Sequence, residues 1–233
     1  HNVQIATGAN GFADLNTELT INNPRLVSHI SALVEWQKTK IFDYGGRGTR
    51  AEPKFQSGEC GIFIGSSATR ADILANSKFT VGFGMMPYWP NVPGAPQNSI
   101  IGGASFWVLR ARPEAEYAGV AKFLAFLSRA DVQAGWHQNT GYLPVTAAAY
   151  YLTRAQGFYD RNPGFAIALE QITLKPPTEN SKGLRLGSFV LIRDVIEDEI
   201  EQALSGQKSA QAALDAAVRR GNELLRAFAR ANR

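Results

Sequence analysis

Apolar residues recur at helical spacing over Asn23 to Lys38, where Leu26, Ile30, Leu33 and Val34 share one face and Pro24 suits a first helical position. The spacing returns over Glu114 to Leu127, directly after Pro113, with Tyr117, Val120, Phe123, Leu124 and Leu127 on one face. Helices are further predicted over about Asp131 to Asn139, Ala147 to Gln156 and Pro163 to Ile172, then two long ones over about Ser188 to Ser205 and Ser209 to Ala231. Gly141 is placed to end the first of these, and Pro144 prevents its continuation. Short apolar or alternating runs predict strands at Cys60 to Gly65, Phe79 to Gly84 and Asn98 to Arg110, the last interrupted by Gly102 and Gly103. Short helices over Ala51 to Gln56 and Ala68 to Ala75 lie between loops rich in Gly, Pro and polar residues, and residues 1–22 read as loop or short extended structure. Strands mixed with helices early, then helices alone, argue for an α/β layer with helical cover.

At 233 residues with 45% hydrophobic content, the chain has ample material for a core. It contains no apolar run of roughly 18 residues, the length a membrane-spanning helix needs. The N-terminus, His-Asn-Val-Gln-Ile, has neither a basic nor an apolar leader region and no starting Met, so the chain is expected to begin after processing or truncation. A net charge of +4 would favour an anionic partner. Much of the excess, however, is Arg219, Arg220, Arg226, Arg230 and Arg233 of the last helix, expected as a solvated face, as is the acidic run Glu197-Asp198-Glu199. The single cysteine, Cys60, excludes an internal disulfide and a multi-cysteine metal site, and is expected as a small buried hydrophobe.

The stretch "ECGIFIGSSATRADILA", residues 59–75, carries the first candidate chemistry. A strand delivering Ser66 and Ser67 to a helix start sets hydroxyls beside unpaired N–H groups, an arrangement that attracts anions; the plainer reading is a capping serine. A serine-hydrolase elbow does not fit, because the G-x-S-x-G spacing is missing and only His1, His29 and His137 are available as bases. Arg193 falls on the same predicted face as Phe189, Ile196, Ile200 and Leu204. There a planar guanidinium would meet a phosphate or carboxylate, an internal Asp or Glu, or solvent at the helix end. Gly102 and Gly103 mark a bulge or a close backbone approach, and they do not complete a dinucleotide fingerprint. In Gly141-Tyr142-Leu143-Pro144 an aromatic hydroxyl sits on a constrained turn, either as packing or as a ligand donor.

Taken together, "IIGGASFWVL", "AGVAKFLAFLSRADVQAGWHQNTGYLPVT", "AAYYLTRAQGFYDRNPG", "KGLRLGSFVLIRDVI" and "ALDAAVRRGNELLRAF" closely resemble the sn-glycerol-3-phosphate-binding members of the extracellular solute-binding proteins, the periplasmic receptors of ABC importers. The likeness runs in order along nearly the whole chain. It implies the two-lobed type II periplasmic-binding-protein fold, similar to maltose-binding proteins, with ligand held in the cleft between lobes. Carried over motif by motif, it implies ligand contacts at Ser66, Gly103, Tyr142 and Arg193, each a donor to a small phosphorylated polyol. The family's large N-terminal portion, which supplies most of the other lobe, has no counterpart here. The resemblance therefore implies that residues 1–98 and 145–233 belong to the C-terminal lobe and that residues 99–144 cross to the other lobe and return. On that reading Phe106, Trp107 and Val108 would be left exposed.

The function so implied is capture of sn-glycerol 3-phosphate or a glycerophosphodiester in the periplasm by a non-catalytic monomer, without cofactor or metal, for delivery to membrane permease subunits. The alternative within the same architecture is an oligosaccharide-binding protein using Trp36, Trp89, Trp107 and Trp136 as stacking surfaces. An enzyme would need a catalytic set that the motifs do not supply. Nucleic-acid binding would need the arginines of the last helix interleaved with exposed aromatics, whereas Leu214, Val218, Gly221, Leu225 and Phe228 form a stripe there that demands burial.

Overall fold

The computed structural model describes residues 2–232, so His1 and Arg233 lie outside the described residues. Its helical elements run in the order α1 (Thr7–Gly11), α2 (Pro24–Lys38), α3 (Glu52–Gln56), a 3₁₀ turn (Ser67–Thr69), α4 (Arg70–Asn76), α5 (Glu114–Leu127) and α6 (Ala130–Thr140). They continue with α7 (Ala147–Ala155), α8 (Phe158–Arg161), α9 (Ile167–Ile172), α10 (Phe189–Leu204) and α11 (Ala210–Ala231). Two compact units emerge. The first comprises His1–Ala51, Tyr88–Ile100 and Lys175–Arg233, and the second Glu52–Pro87 and Ile101–Leu174.

The expected helices form, and their ends carry the anticipated chemistry. Asn23 caps α2 by accepting from the Leu26 N–H at 3.1 Å, with Pro24 in the first turn. Gly141 ends α6 in the left-handed conformation, φ 78°. The helix expected over Pro163 to Ile172 is shortened to α9, starting after Gly164 at φ 80°, and α8 is a further short helix ahead of it that the periodicity does not predict. The predicted strands are not there. Among the described residues the only ladder contact is an isolated antiparallel bridge between Ala6 and Leu19, so the mixed α/β layer is replaced by a mostly helical structure. Alternating apolar positions describe the faces that a strand would present, but backbone pairing requires a neighbour alongside, and 60–65, 79–84 and 98–110 form no ladder.

The core of the first unit is the packing of α2, α10 and α11. Ile30 of α2, Ala203 of α10, and Ala210, Ala213, Leu214 and Ala217 of α11 are buried together with Ile21. The small side chains let α10 and α11 approach closely, and a second cluster of Ala6, Leu19, Ile192 and Leu225 continues the seam. Gly221 is part of it, since a Cβ there would lie 2.4 Å from Cδ1 of Leu19. Two buried asparagines tie irregular chain to this bundle. Asn222 accepts the Leu19 N–H at 2.8 Å, and Asn10 accepts from Ile5 and Ala6 while donating to the carbonyls of Glu179 and Asn180.

Asn10 itself stands at φ 58° inside α1, whose interior residues Gly8, Ala9 and Asn10 are all left-handed, so this element is a turn wound against the normal hand. The second unit is built on α6 and α7, with Ala134, His137, Ala149 and Thr153 buried between them and Ile73 of α4 buried nearby in the chain's first half. Among its aromatic contacts are Phe55 with Phe63 and Phe79, Phe106 with Phe123, and His137 with Phe158, Tyr159 and Phe165. Cys60 is half-buried rather than enclosed, because the run around it has no strand partner to cover it.

Gly11, at φ 87°, has the carbonyl oxygen of Arg185 2.1 Å from where its Cβ would be. Gly11→Ala is expected to lower stability by about 2 kcal/mol or more, since the obstacle is backbone and the dihedral is disfavoured as well. Urea unfolding of the variant, read by circular dichroism, checks it.

Candidate functional site

The second unit brings the segments of three of the four expected contact residues near one another. At the end of α6 the chain turns through Gly141, whose N–H bonds to the His137 carbonyl at 3.0 Å. A Cβ on Gly141 would stand 2.8 Å from the carbonyl oxygen of Ser67 and 3.6 Å from Cβ of Arg70, so the Ser66–Ser67 turn lies directly against this glycine. Tyr142 follows, and its ring edge lies 3.9 Å from the Cβ position of Gly103. Ser66, Gly103 and Tyr142 are all exposed.

Each offers a donor. Ser66 does cap the 3₁₀ turn, accepting the Ala68 N–H at 3.2 Å, but an accepting hydroxyl keeps its own proton for another partner, so the two readings of this serine are compatible. Gly103 has φ 121°, a backbone conformation that side chains rarely adopt, as its place in a glycine pair suggested. The Tyr142 backbone is held from both sides: its N–H donates to Thr140 Oγ1 at 3.2 Å, and its carbonyl accepts from the ring of His137.

Arg193 belongs to the first unit. It is exposed rather than set in an apolar stripe: α10 buries Ile192, Glu199 and Ala203, and the arginine points off that face with a side chain 63% accessible. Its neighbour is Glu197, one turn on, at 3.9 Å. A contact this long and this wet restrains the guanidinium little.

Two buried groups escaped sequence reasoning. His137 is enclosed, with Nε2 3.0 Å from the Tyr159 hydroxyl, and burial pushes the ring below its ordinary value of 6.5, opposed in part by the bond to the Tyr142 carbonyl and reinforced by the charge of Arg70. Arg70, in the first turn of α4, is buried between the rings of Phe83 and Phe165, its guanidinium carbon 3.7 Å from each centroid. One of its terminal nitrogens donates to the Pro163 carbonyl at 3.1 Å, Nε has no hydrogen-bond partner, and loss of hydration lowers its pKa to about 10. The spacing of His137 from Gly141 was a usable signal. Nothing marks Arg70, because an arginine in a first helical turn is exposed by default.

The first unit holds an ion network that engages the acidic run and, from the last helix, Arg220, whereas Arg219, Arg226 and Arg230 are exposed as expected. Arg47, from the Gly-rich loop Tyr44-Gly45-Gly46-Arg47-Gly48, donates to Glu201 at 2.8 Å and to Asp198 at 2.6 Å, while Tyr44 donates to Glu201 at 2.8 Å. Arg220 reaches Glu199 at 2.8 Å and Asp198 at 3.3 Å, and Lys208 also pairs with Glu199, which is buried. The run 197–199 is therefore paired with Arg47 of that loop, Lys208 of the connection between α10 and α11, and Arg220 of α11; consecutive helix positions differ by about 100°, and Glu199 falls on the buried side. A concavity of about 560 Å³ lined by Asp198, Glu201, Gln202, Ser205, Gln207 and Arg220 is the outer surface of this network, and the expected contact residues do not line it.

Residues 1–166 match the family described as bacterial extracellular solute-binding protein. The chain belongs to that family. It is similar to the sn-glycerol-3-phosphate-binding periplasmic protein UgpB of Salmonella paratyphi A, 48% identical over 98% of this chain and 52% of the relative, and to that of Pectobacterium atrosepticum, 49% identical over 96% of this chain and 50% of the relative. The chain thus spans about half the length of the curated relatives it matches. Among solved structures it is similar to the cyclic alpha-maltosyl-1,6-maltose binding protein of Arthrobacter globiformis, with a TM-score of 0.68 at 22% identity, over 89% of this chain and 50% of that one. The likeness shows a shared fold, in keeping with the type II periplasmic-binding-protein fold. The relatives and the structural neighbour are named as binding proteins, and no helix of the described residues is long and apolar enough to cross a membrane.

Two outcomes test this geometry. Gly141→Ala is expected to destabilise by roughly 1–2 kcal/mol through its left-handed backbone alone, with the Ser67 contact adding to it, as read by urea unfolding and by altered backbone amide resonances at Ser66 and Ser67. The bonds from Arg47 and then Tyr44 hold Glu201 at about 2, below its ordinary 4.5, so its contribution to stability is complete above pH 4.5 and is lost as pH falls toward 2. Glu201→Gln is expected to flatten the dependence of the urea midpoint on pH across that interval.

Proposed function

We propose that this chain is part of a periplasmic receptor that captures sn-glycerol 3-phosphate, or a glycerophosphodiester, in the interlobe cleft of the solute-binding fold and delivers it to the permease subunits of an ABC importer. The receptor acts as a monomer and performs no catalysis. Ser66, the Gly103 N–H, the Tyr142 hydroxyl and Arg193 donate to the phosphorylated polyol. The observation that carries this reading is the meeting of the three segments of the second unit that carry the exposed Ser66, Gly103 and Tyr142, with Gly141 packing on the Ser67 carbonyl and the Tyr142 ring edge lying 3.9 Å from the Cβ position of Gly103. Arg193 supports it by being accessible and only weakly engaged with Glu197. The names of the relatives support the choice of ligand and compartment.

The lobe assignment belongs to the same proposal: residues 99–144 cross from the C-terminal lobe, formed by 1–98 and 145–233, and return to it. The exposure of Phe106, Trp107 and Val108 supports it, as does the solvent-facing position of Phe123 and Phe126 on α5.

One observation favours a second reading, an oligosaccharide ligand. Trp107 and Trp136 present large exposed indole surfaces, whereas Trp36 and Trp89 stack on each other at 5.9 Å and leave fewer faces for a sugar. Calorimetric titration of the chain with sn-glycerol 3-phosphate and, in parallel, maltose separates the two. Heat with the phosphate ester alone is expected, and Arg193→Ala is expected to weaken binding by about 10- to 100-fold through loss of charge-assisted bonds. Unchanged affinity in that variant removes the arginine from the site, and heat with maltose alone replaces the ligand.

A further inference from the structure

We infer that His137 is the positioning residue of the site, a buried imidazole that fixes where Tyr142 stands by holding its backbone carbonyl. This rests on the proposed role of Tyr142 as a ligand donor. A carbonyl oxygen can only accept, so the ring nitrogen facing it, Nδ1, must carry the proton. Nε2 is then bare and accepts from the Tyr159 hydroxyl at 3.0 Å. The neutral ring satisfies both partners, and one tautomer alone does so.

The surroundings keep it in that state. Phe158 and Phe165 meet the ring edge-on with centroids 6.1 and 5.7 Å away, and Tyr159 lies at 5.7 Å, itself beside Tyr150. The charged group acting on it is Arg70, a cation, and both hydrogen-bond partners of the ring, the Tyr142 carbonyl and the Tyr159 hydroxyl, are neutral. A second positive charge here would be repelled and poorly solvated, and a proton on Nε2 would force the tyrosine hydroxyl to reverse.

The geometry explains why a histidine serves here. The turn from α6 into Tyr142 passes through a left-handed glycine, which on its own leaves the following residue free to swing. The bond from the ring five residues earlier closes that turn, and because His137 is itself packed inside the second unit, the tyrosine is referred to the core and not to solvent-exposed loop. Ligand contacts held within a fraction of an ångström need support of this kind.

The test uses the 233-residue chain with two substitutions. His137→Phe keeps a ring and removes both bonds, and His137→Asn keeps a donor near the Nδ1 position. The first is expected to weaken sn-glycerol 3-phosphate binding by about tenfold with its circular dichroism retained, and the second to recover most of that loss. Equal weakening in both, or none in the phenylalanine variant, overturns the inference. Long-range ¹H–¹⁵N spectra give a readout independent of ligand: the Nδ1–H tautomer of His137, and amide resonances of Gly141 to Leu143 that broaden or shift in His137→Phe and return in His137→Asn. If the unsubstituted chain takes up no glycerol 3-phosphate, the proposed ligand fails while these spectra still decide the positioning role. An Nε2–H tautomer, or amides indifferent to the phenylalanine, sinks it.

Discussion

A missing side chain at position 141 is the constraint on which the candidate site depends. The Ser67 carbonyl occupies the space that any Cβ there would need, and the dihedral of Gly141 is one that other residues resist. With no side chain there, two segments more than seventy positions apart meet, and Ser66 and Tyr142 each stand one residue from that contact. What lies beneath is rigid for ordinary reasons. His137 is bonded at both nitrogens, and Arg70 is clamped between Phe83 and Phe165. The exposed donors sit on buried supports whose hydrogen bonds are mostly satisfied.

The first unit solves a different problem with different means. Its helices touch through alanines, which bury little area each but allow close approach along α10 and α11. The irregular chain around the bundle carries backbone groups with no ladder to join, and Asn10 and Asn222 satisfy several of them from within the core. Charge does the same for the Gly-rich loop, which Arg47 and Tyr44 tie to α10. The pairs are partly exposed, so each adds modestly, yet Glu199 is buried and would be costly without Lys208 and Arg220.

The helices were legible because their signal is local: a 3.6-residue period, the Asn23 and Pro24 start, the Gly141 stop. Family membership was legible for another reason, the agreement of many motifs in order. The strands were misread because an apolar run at 60–65 or alternation at 79–84 is a property of one segment, whereas a sheet is a property of two. Arg193 was read onto the apolar face since a helical wheel cannot resolve which edge of a stripe turns outward. Burial of Arg70 and Glu199 came from long-range packing that no window of sequence contains.

The four tryptophans divide by environment. Trp36 and Trp89 are stacked in the first unit, and the Trp89 indole nitrogen donates to His29, whereas Trp107 and Trp136 of the second unit face water. Indole emission follows the polarity and relaxation of its surroundings. The chain therefore carries two native optical labels of different colour, a sheltered pair and a hydrated pair, and covering Trp107 by any solute or polypeptide would register as a blue shift confined to the second.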